Sequence, residues 1–118
     1  MVTRTDIEKY ILDNYSTSPE HLWKSDPASE IFRHNRNRKW FGLIMNITGD
    51  KVNLDNNDYV DVLNLKCDPE MISHLASQKG FAPAYHMSKK HWITIVLNGD
   101  VNDDIIYNLI DQSYNLTT

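Results

Sequence analysis

Hydrophobic and polar residues alternate most regularly from His91 to Leu97. There Ile93, Ile95 and Leu97 share one face and Trp92, Thr94 and Val96 the other, the two-residue period of a β-strand. The preceding Ala84 to Met87 reads as the short arm of a hairpin whose polar, basic tip is Ser88 to Lys90. Pro83 lacks an amide donor and belongs at the start or edge of that arm. The same alternation marks Lys39 to Thr48, with Phe41, Leu43, Met45 and Ile47 on one face and Trp40, Gly42, Ile44 and Asn46 on the other. Val60 to Lys66 is a further strand with Leu63 and Leu65 inward, and Ser29 to His34 is a plausible first one. Polar segments at Asn35 to Arg38, Gly49-Asp50 and Asn53 to Asp58 separate these strands.

Three segments carry helical spacing instead. Thr5 or Asp6 can cap a helix running to about Asn14, with Ile7, Tyr10, Ile11 and Asn14 or Tyr15 on one stripe. Asp68-Pro69-Glu70 is the clearest local signal, a capping carboxylate followed by proline where no amide donor is needed. Met71, Ile72, Leu75 and Ala76 continue that helix inward, and Gly80 ends it as a left-handed cap. Asn98-Gly99 turns the chain. Asn102 or Asp103 then caps a last helix burying Ile105, Ile106, Leu109, Ile110 and Tyr114. Ser16 to Ala28, interrupted by Pro19 and Pro27, is a loop that tucks Leu22 and Trp23 onto the core.

The order is helix, three strands, helix, two strands, helix. Short turns between strands favour an antiparallel sheet with helices gathered mainly on one face. The expectation is a single α+β domain over residues 1–118, a two-layer α-β3-α-β2-α sandwich around a five-stranded antiparallel sheet. Its second sheet face is left at least partly open.

Composition narrows the function classes. With 118 residues, 41% hydrophobic, the chain can bury a core without metal or disulfide. No apolar run approaches membrane-spanning length and no secretory leader opens the sequence, so no membrane partner is expected. The lone Cys67 suits a reducing cytoplasm. Net charge is −4, yet Arg33, Arg36, Arg38 and Lys39 crowd together, while acids concentrate in Asp50 to Asp61 and Asp100 to Asp111. The molecule should be two-toned.

Catalytic chemistry finds little support. Cys67 precedes a helix N-terminus beside Lys66, with His86 or His91 as a conceivable base, but strand parity turns it inward with Leu63 and Leu65. His21, His34, His74, His86 and His91 form no metal-ligand spacing. Phosphate-loop, nucleophile-elbow and His-Glu-x-x-His patterns are missing. The expectation is a binding module with no enzyme activity, cofactor or metal.

Four blocks resemble the MmcQ/YjbR family: Lys39-Trp-Phe-Gly-Leu43, Leu65-Lys-Cys-Asp-Pro-Glu70, Pro83-Ala-Tyr-His-Met-Ser-Lys-Lys-His-Trp-Ile-Thr94 and Leu109-Ile-Asp-Gln-Ser-Tyr114. They fall in the family's order, and the third is the specific one. The resemblance implies a CyaY-like or secretion-chaperone-like α/β sandwich. It also implies DNA binding, since family members are commonly described as candidate DNA binders for a sheet like a double-wing module. Gly42 stands where alanine is usual, and Asn115 and Thr117 make the C-terminal end more polar than is typical of the family.

The face opposite the helices should then present Trp40, Ile44, Asn64, Lys66, Trp92 and Thr94. Arg33, Arg36, Arg38 and Lys39 at one turn, and Lys89, Lys90 and His91 at the hairpin tip, would rim it. Aromatics stack on bases and cations meet phosphates, so Arg33, Arg36, Arg38, Lys39, Trp40, Lys66, Lys89, Lys90, His91 and Trp92 are the candidate DNA-binding residues. The same residues admit a structural account, with Trp40 and Trp92 as a cross-strand pair or capped by the Ser16 to Ala28 loop and the basic turns merely solvated. The alternative function is a chaperone-like module holding a peptide or protein on that face. A small-ligand pocket under the Ser16 to Ala28 loop is a third.

Overall fold

Thr3 starts the first helix, α1 (Arg4–Tyr15). Its hydroxyl accepts from the Asp6 amide at 3.2 Å while the Asp6 carboxylate accepts from the Thr3 amide at 2.8 Å. This is a capping box with aspartate in the usual glutamate place, and it sets the cap earlier than Thr5 or Asp6. Ile7 and Ile11 are fully buried on the stripe the spacing predicts. The computed structural model describes all residues, 1 to 118.

The remaining elements are β1 (Glu30–Arg33), β2 (Trp40–Thr48), a 3-10 turn (Gly49–Val52), β3 (Tyr59–Lys66), α2 (Pro69–Leu75), β4 (Phe81–Pro83), β5 (Trp92–Val96) and α3 (Asp103–Leu116). Every strand pairing is antiparallel, and the sheet order is β1-β2-β3-β5-β4. The expected α+β sandwich is the observed one.

Local chemistry explains the element ends. The Asp68 carboxylate accepts from the Glu70 amide at 2.9 Å, and Pro69 occupies the first helical position. However, α2 stops at Leu75, and Gly80 does not cap it. Gly80 instead turns the chain into β4 at φ +89°, where an added Cβ would lie 2.5 Å from the Val101 side chain. Asn102 caps α3 by accepting from the Asp104 amide. Ile106, Leu109 and Ile110 are buried along α3, whereas Ile105, expected inside, is 47% exposed. The hairpin arm also differs: β4 is only Phe81–Pro83, and Ala84 to His91 form a loop. Pro83 closes an edge strand, where a missing donor costs no ladder bond.

A β-bulge sets the faces of the sheet. Phe32 pairs with Gly42 and Arg33 with Trp40, which leaves Phe41 as an extra residue on β2. The alternation expected for β2 therefore breaks after Phe41. Phe41 and Ile44 point into the helix-side core with Phe32, Leu63, Leu65, Ile93 and Ile95, while Leu43 and Met45 share the far side with their cross-strand neighbours Asn64 and Val62. Two backbone groups lose ladder partners where β2 and β3 part. Ser113 of α3, fully buried, supplies both: its Oγ donates to the Phe41 carbonyl at 2.6 Å and accepts from the Lys66 amide at 2.9 Å.

The far side is not bare. A second cluster of Val52, Val62, Ala82 and Val96 is buried there. Asn64 and Thr94, expected on an open surface, are fully buried, and Trp92 is only 9% exposed. Ile44 lies on the helix side altogether. The cause is the Ala84 to His91 loop, which folds back over the sheet. Thr94 Oγ1 donates to Asn64 Oδ1 and accepts from the Tyr85 amide, while Asn64 Nδ2 donates to the Tyr85 carbonyl at 3.1 Å. One buried polar pair thus grips both backbone groups of a single loop residue. Leu22 and Trp23, placed on the core by the sequence reading, are 44% and 39% exposed. No helix is long and apolar enough to cross a membrane.

Candidate nucleic-acid interface

Register brings the predicted basic residues to one end of the sheet. Arg33 ends β1, Lys39 and Trp40 begin β2, Lys66 ends β3 opposite Trp92, and His91 leads into β5. Lys89 and Lys90 lie in the loop that leaves the same end from Pro83. The opposite end carries Asp50, Asp55 and Asp58 between β2 and β3, and Asp100 after β5; cations there include Lys51, Lys79, the N-terminal ammonium and Arg4, which Asp61 and Glu30 hold. Lys79 sits 3.7 Å from Asp100.

Their individual engagements differ. Glu20 takes both Arg33 (2.8 Å) and Arg38 (3.1 Å), held in place by its backbone bridge to Ile31. Lys66 places its ammonium 5.6 Å from the centre of the Trp92 ring. Lys89 donates to the Ala84 carbonyl at 2.7 Å and closes its own loop. Arg36, Lys39 and Lys90 are exposed and make no ion pair. Trp40 and Trp92 are no cross-strand pair, because β3 lies between their strands. Trp40 is covered from the loop instead, by Trp23 at 6.1 Å between ring centres and 77° between planes. Acids at this end are Glu20, Asp26, Asp68 and Glu70; the last two open α2, on the helix side.

Between these cations lies a cleft of about 440 Å³, lined by Trp23, Ser25, Asp26, Ser29, Trp40, Leu43, Met45, His86 and Met87. It is roofed on one side by the loop before β1 and on the other by the loop before β5. Five of its walls are aromatic or aliphatic, with hydroxyls, an imidazole and a carboxylate as polar points. The sequence reading named a pocket between the sheet and the Ser16 to Ala28 loop, where this cleft lies, but did not single out Trp23, Asp26, His86 or Met87 as its lining. An exposed tryptophan flanked by Lys24-Ser25-Asp26 was the available signal, and it was spent on the core.

Three further groups have settled roles. His34 is buried, its Nε2 is 2.7 Å from Thr117 Oγ1, and its ring packs on Phe41 and Tyr114. Burial holds its pKa below the ordinary value. Asn37 Nδ2 donates to the Thr117 carbonyl at 2.9 Å, so the β1–β2 turn is anchored to the end of α3. Cys67 is buried in the helix-side core, and burial followed by the charge of Asp68 raises its pKa. That is the opposite of an activated thiolate.

With this geometry in place, comparison with known proteins assigns the chain. The YjbR family model matches residues 12–116. The chain belongs to the YjbR family. It is 46% identical over 117 residues to the uncharacterised YyaQ of Bacillus subtilis (strain 168), covering 99% of both chains. It is 37% identical over 100 residues to YbdF of Escherichia coli O157:H7, covering 82% of this chain and 70% of that one. A crystal structure from Pseudomonas syringae superposes with a TM-score of 0.96 at 39% identity, over 99% of this chain and all of the other. A Deinococcus radiodurans structure gives 0.75 at 26% identity, over 98% and 78%. The four segments that resembled the YjbR family in sequence meet in space. Ser113 bridges the Lys39–Leu43 and Leu65–Glu70 blocks, and the Cys67 amide donates to the His91 carbonyl at 2.9 Å. The YjbR-like sequence blocks thus build the cationic sheet end.

Proposed function

We propose that this chain is a nucleic-acid-binding module, with DNA as its partner, that contacts phosphates through the cationic end of its sheet. The observation that carries this reading is convergence: Arg36 and Lys39 from one turn and Lys90 from another, all exposed and without an acidic partner, meet at the end that also holds Lys66. The acids of the β2–β3 and β5–α3 connections stand at the far end, so the overall charge of −4 does not describe this surface. The buried state of Trp92, Asn64 and Thr94 removes the flat sheet face from the interface and leaves its rim. Titration of labelled single- and double-stranded oligonucleotides at about 50 and about 200 mM salt tests it. A steep loss of affinity with salt supports phosphate contact; affinity absent at low salt, or indifferent to salt, overturns it.

A peptide-binding role is the second reading, and it moves from the sheet to the helices. Between α2 and α3 a groove of about 320 Å³ is lined by Met71, Leu75, Ile105 and Leu109, with Ile105 half exposed. An apolar peptide seated there would bind with little response to salt. Loss of peptide binding in Ile105→Lys, with oligonucleotide binding unchanged, would separate the two.

A further inference from the structure

The cleft beside the cationic rim is built for something flat. Trp23 and Trp40 meet nearly at right angles, so one indole forms a wall and the other a floor. Met45 and Met87, with polarizable thioethers, line the same space. No cation lines the cleft itself, but Lys24 follows Trp23 and Lys89-Lys90 follow Met87 in the chain, so the two loops that roof it each carry lysine. Lys24, Lys39 and Lys90 are exposed and have no acidic partner. Asp26, half-buried in the lining, accepts from Ser29 Oγ through Oδ2, while its Oδ1 takes no protein donor and is open to solvent.

We infer that this cleft receives one unpaired nucleobase from a single strand whose phosphates run along the flanking lysines. The inference rests on the nucleic-acid reading above and deepens it. An aromatic base can stack on one indole face and meet the other indole edge-on, and its exocyclic amino group can donate to Asp26 Oδ1. Asp26 repels phosphate, which favours a base rather than a backbone segment at the cleft floor. A duplex keeps its bases stacked on each other and cannot offer one without unpairing.

The test compares short single-stranded oligo-dC, oligo-dT and an abasic strand of equal length, plus a duplex, read by tryptophan fluorescence at low salt. The expected order is oligo-dC, then oligo-dT, then the abasic strand and the duplex. One base in the cleft separates oligo-dC from the abasic strand by about 5- to 150-fold. Equal affinity for abasic and natural strands overturns base capture while leaving phosphate binding intact. Equal affinity for oligo-dC and oligo-dT overturns the role of Asp26. Failure of every strand to bind overturns both this inference and the reading it rests on. The abasic comparison uses the unaltered protein, so it needs no variant to fold. As a second arm, Trp23→Ala should abolish the preference for natural over abasic strands and Trp23→Phe should restore it, with melts confirming that both remain folded. A preference that survives in Trp23→Ala places the base elsewhere.

Discussion

Single residues decide whether the sheet end exists at all. Ser113 is the sharpest case, since one hydroxyl satisfies a carbonyl on β2 and an amide on β3 where the two strands part. Ser113→Ala should lower stability by about 1–3 kcal/mol for each backbone group left unpaired, visible as a reduced urea midpoint. An unchanged midpoint would mean that another donor takes its place. Glu8 offers a different kind of residue effect. Its carboxyl, hydrogen-bonded to Glu30 and partly buried, is pushed up to about 7 from an ordinary 4.5. A raised folded pKa means the native state holds the extra proton, so this contribution is full below pH 4.5 and is lost as pH rises through about 7. Glu8→Gln carries no charge to lose. Urea melts at about pH 5 and about pH 8 should show a smaller drop in the variant than in the parent. Gly42 is a milder matter: a Cβ there would meet Phe32 at an ordinary 3.5 Å, so the alanine typical of the family fits without displacement.

At the scale of elements, the loop Ala84 to His91 and the bulge on β2 account for most of the distance between sequence and structure. Periodicity identified β3, β5 and the buried stripes of α1 and α3 because each is a regular element with an uninterrupted apolar face toward the helix-side core. It assigned Leu43 and Met45 to the wrong face, since a one-residue insertion reverses every later side chain and leaves no mark in the hydrophobic pattern. Likewise Pro83-Ala-Tyr-His-Met looked like a strand, because the sequence does not show that Tyr85 is hydrogen-bonded to side chains rather than to a neighbouring strand. The chemistry at Asp68-Pro69 was legible because a cap is a local contact. Trp23 was not legible, because its partner Trp40 is 17 positions away. The loop's attachment gives a measurable consequence. Thr94→Val removes one of the side chains that grip Tyr85, so amide exchange at Tyr85 should accelerate selectively while Leu63 and Ile95 in the sheet stay protected. Uniform acceleration would show that Thr94 supports the whole fold and not the loop.

For the molecule as a whole, the arrangement of charge matters more than its sum. Cations from separate turns collect at one end of the strands, and aspartates collect at the other. Clustering of Arg36, Lys39 and nearby residues was readable in the sequence, but the alignment of that cluster with Lys66 and Lys90 needed the strand order. Lys39→Ala and Lys90→Ala should each reduce the salt slope of oligonucleotide binding by about 0.7 units on single strands, whatever the base sequence. A slope unchanged in the double variant would remove both lysines from the interface. Two engaged arginines, Arg33 and Arg38, provide the contrast: Glu20 already answers them, so their replacement should alter the slope less.

The Ser113 hydroxyl of α3 has a bearing on how the protein comes into being. Residue 113 follows both strands in the chain, yet it completes two groups at their mouth. A nascent chain that still lacks α3 possesses every cation of the rim without the scaffold that aligns them. The aligned rim is therefore complete only once α3 has been made and packed against the sheet.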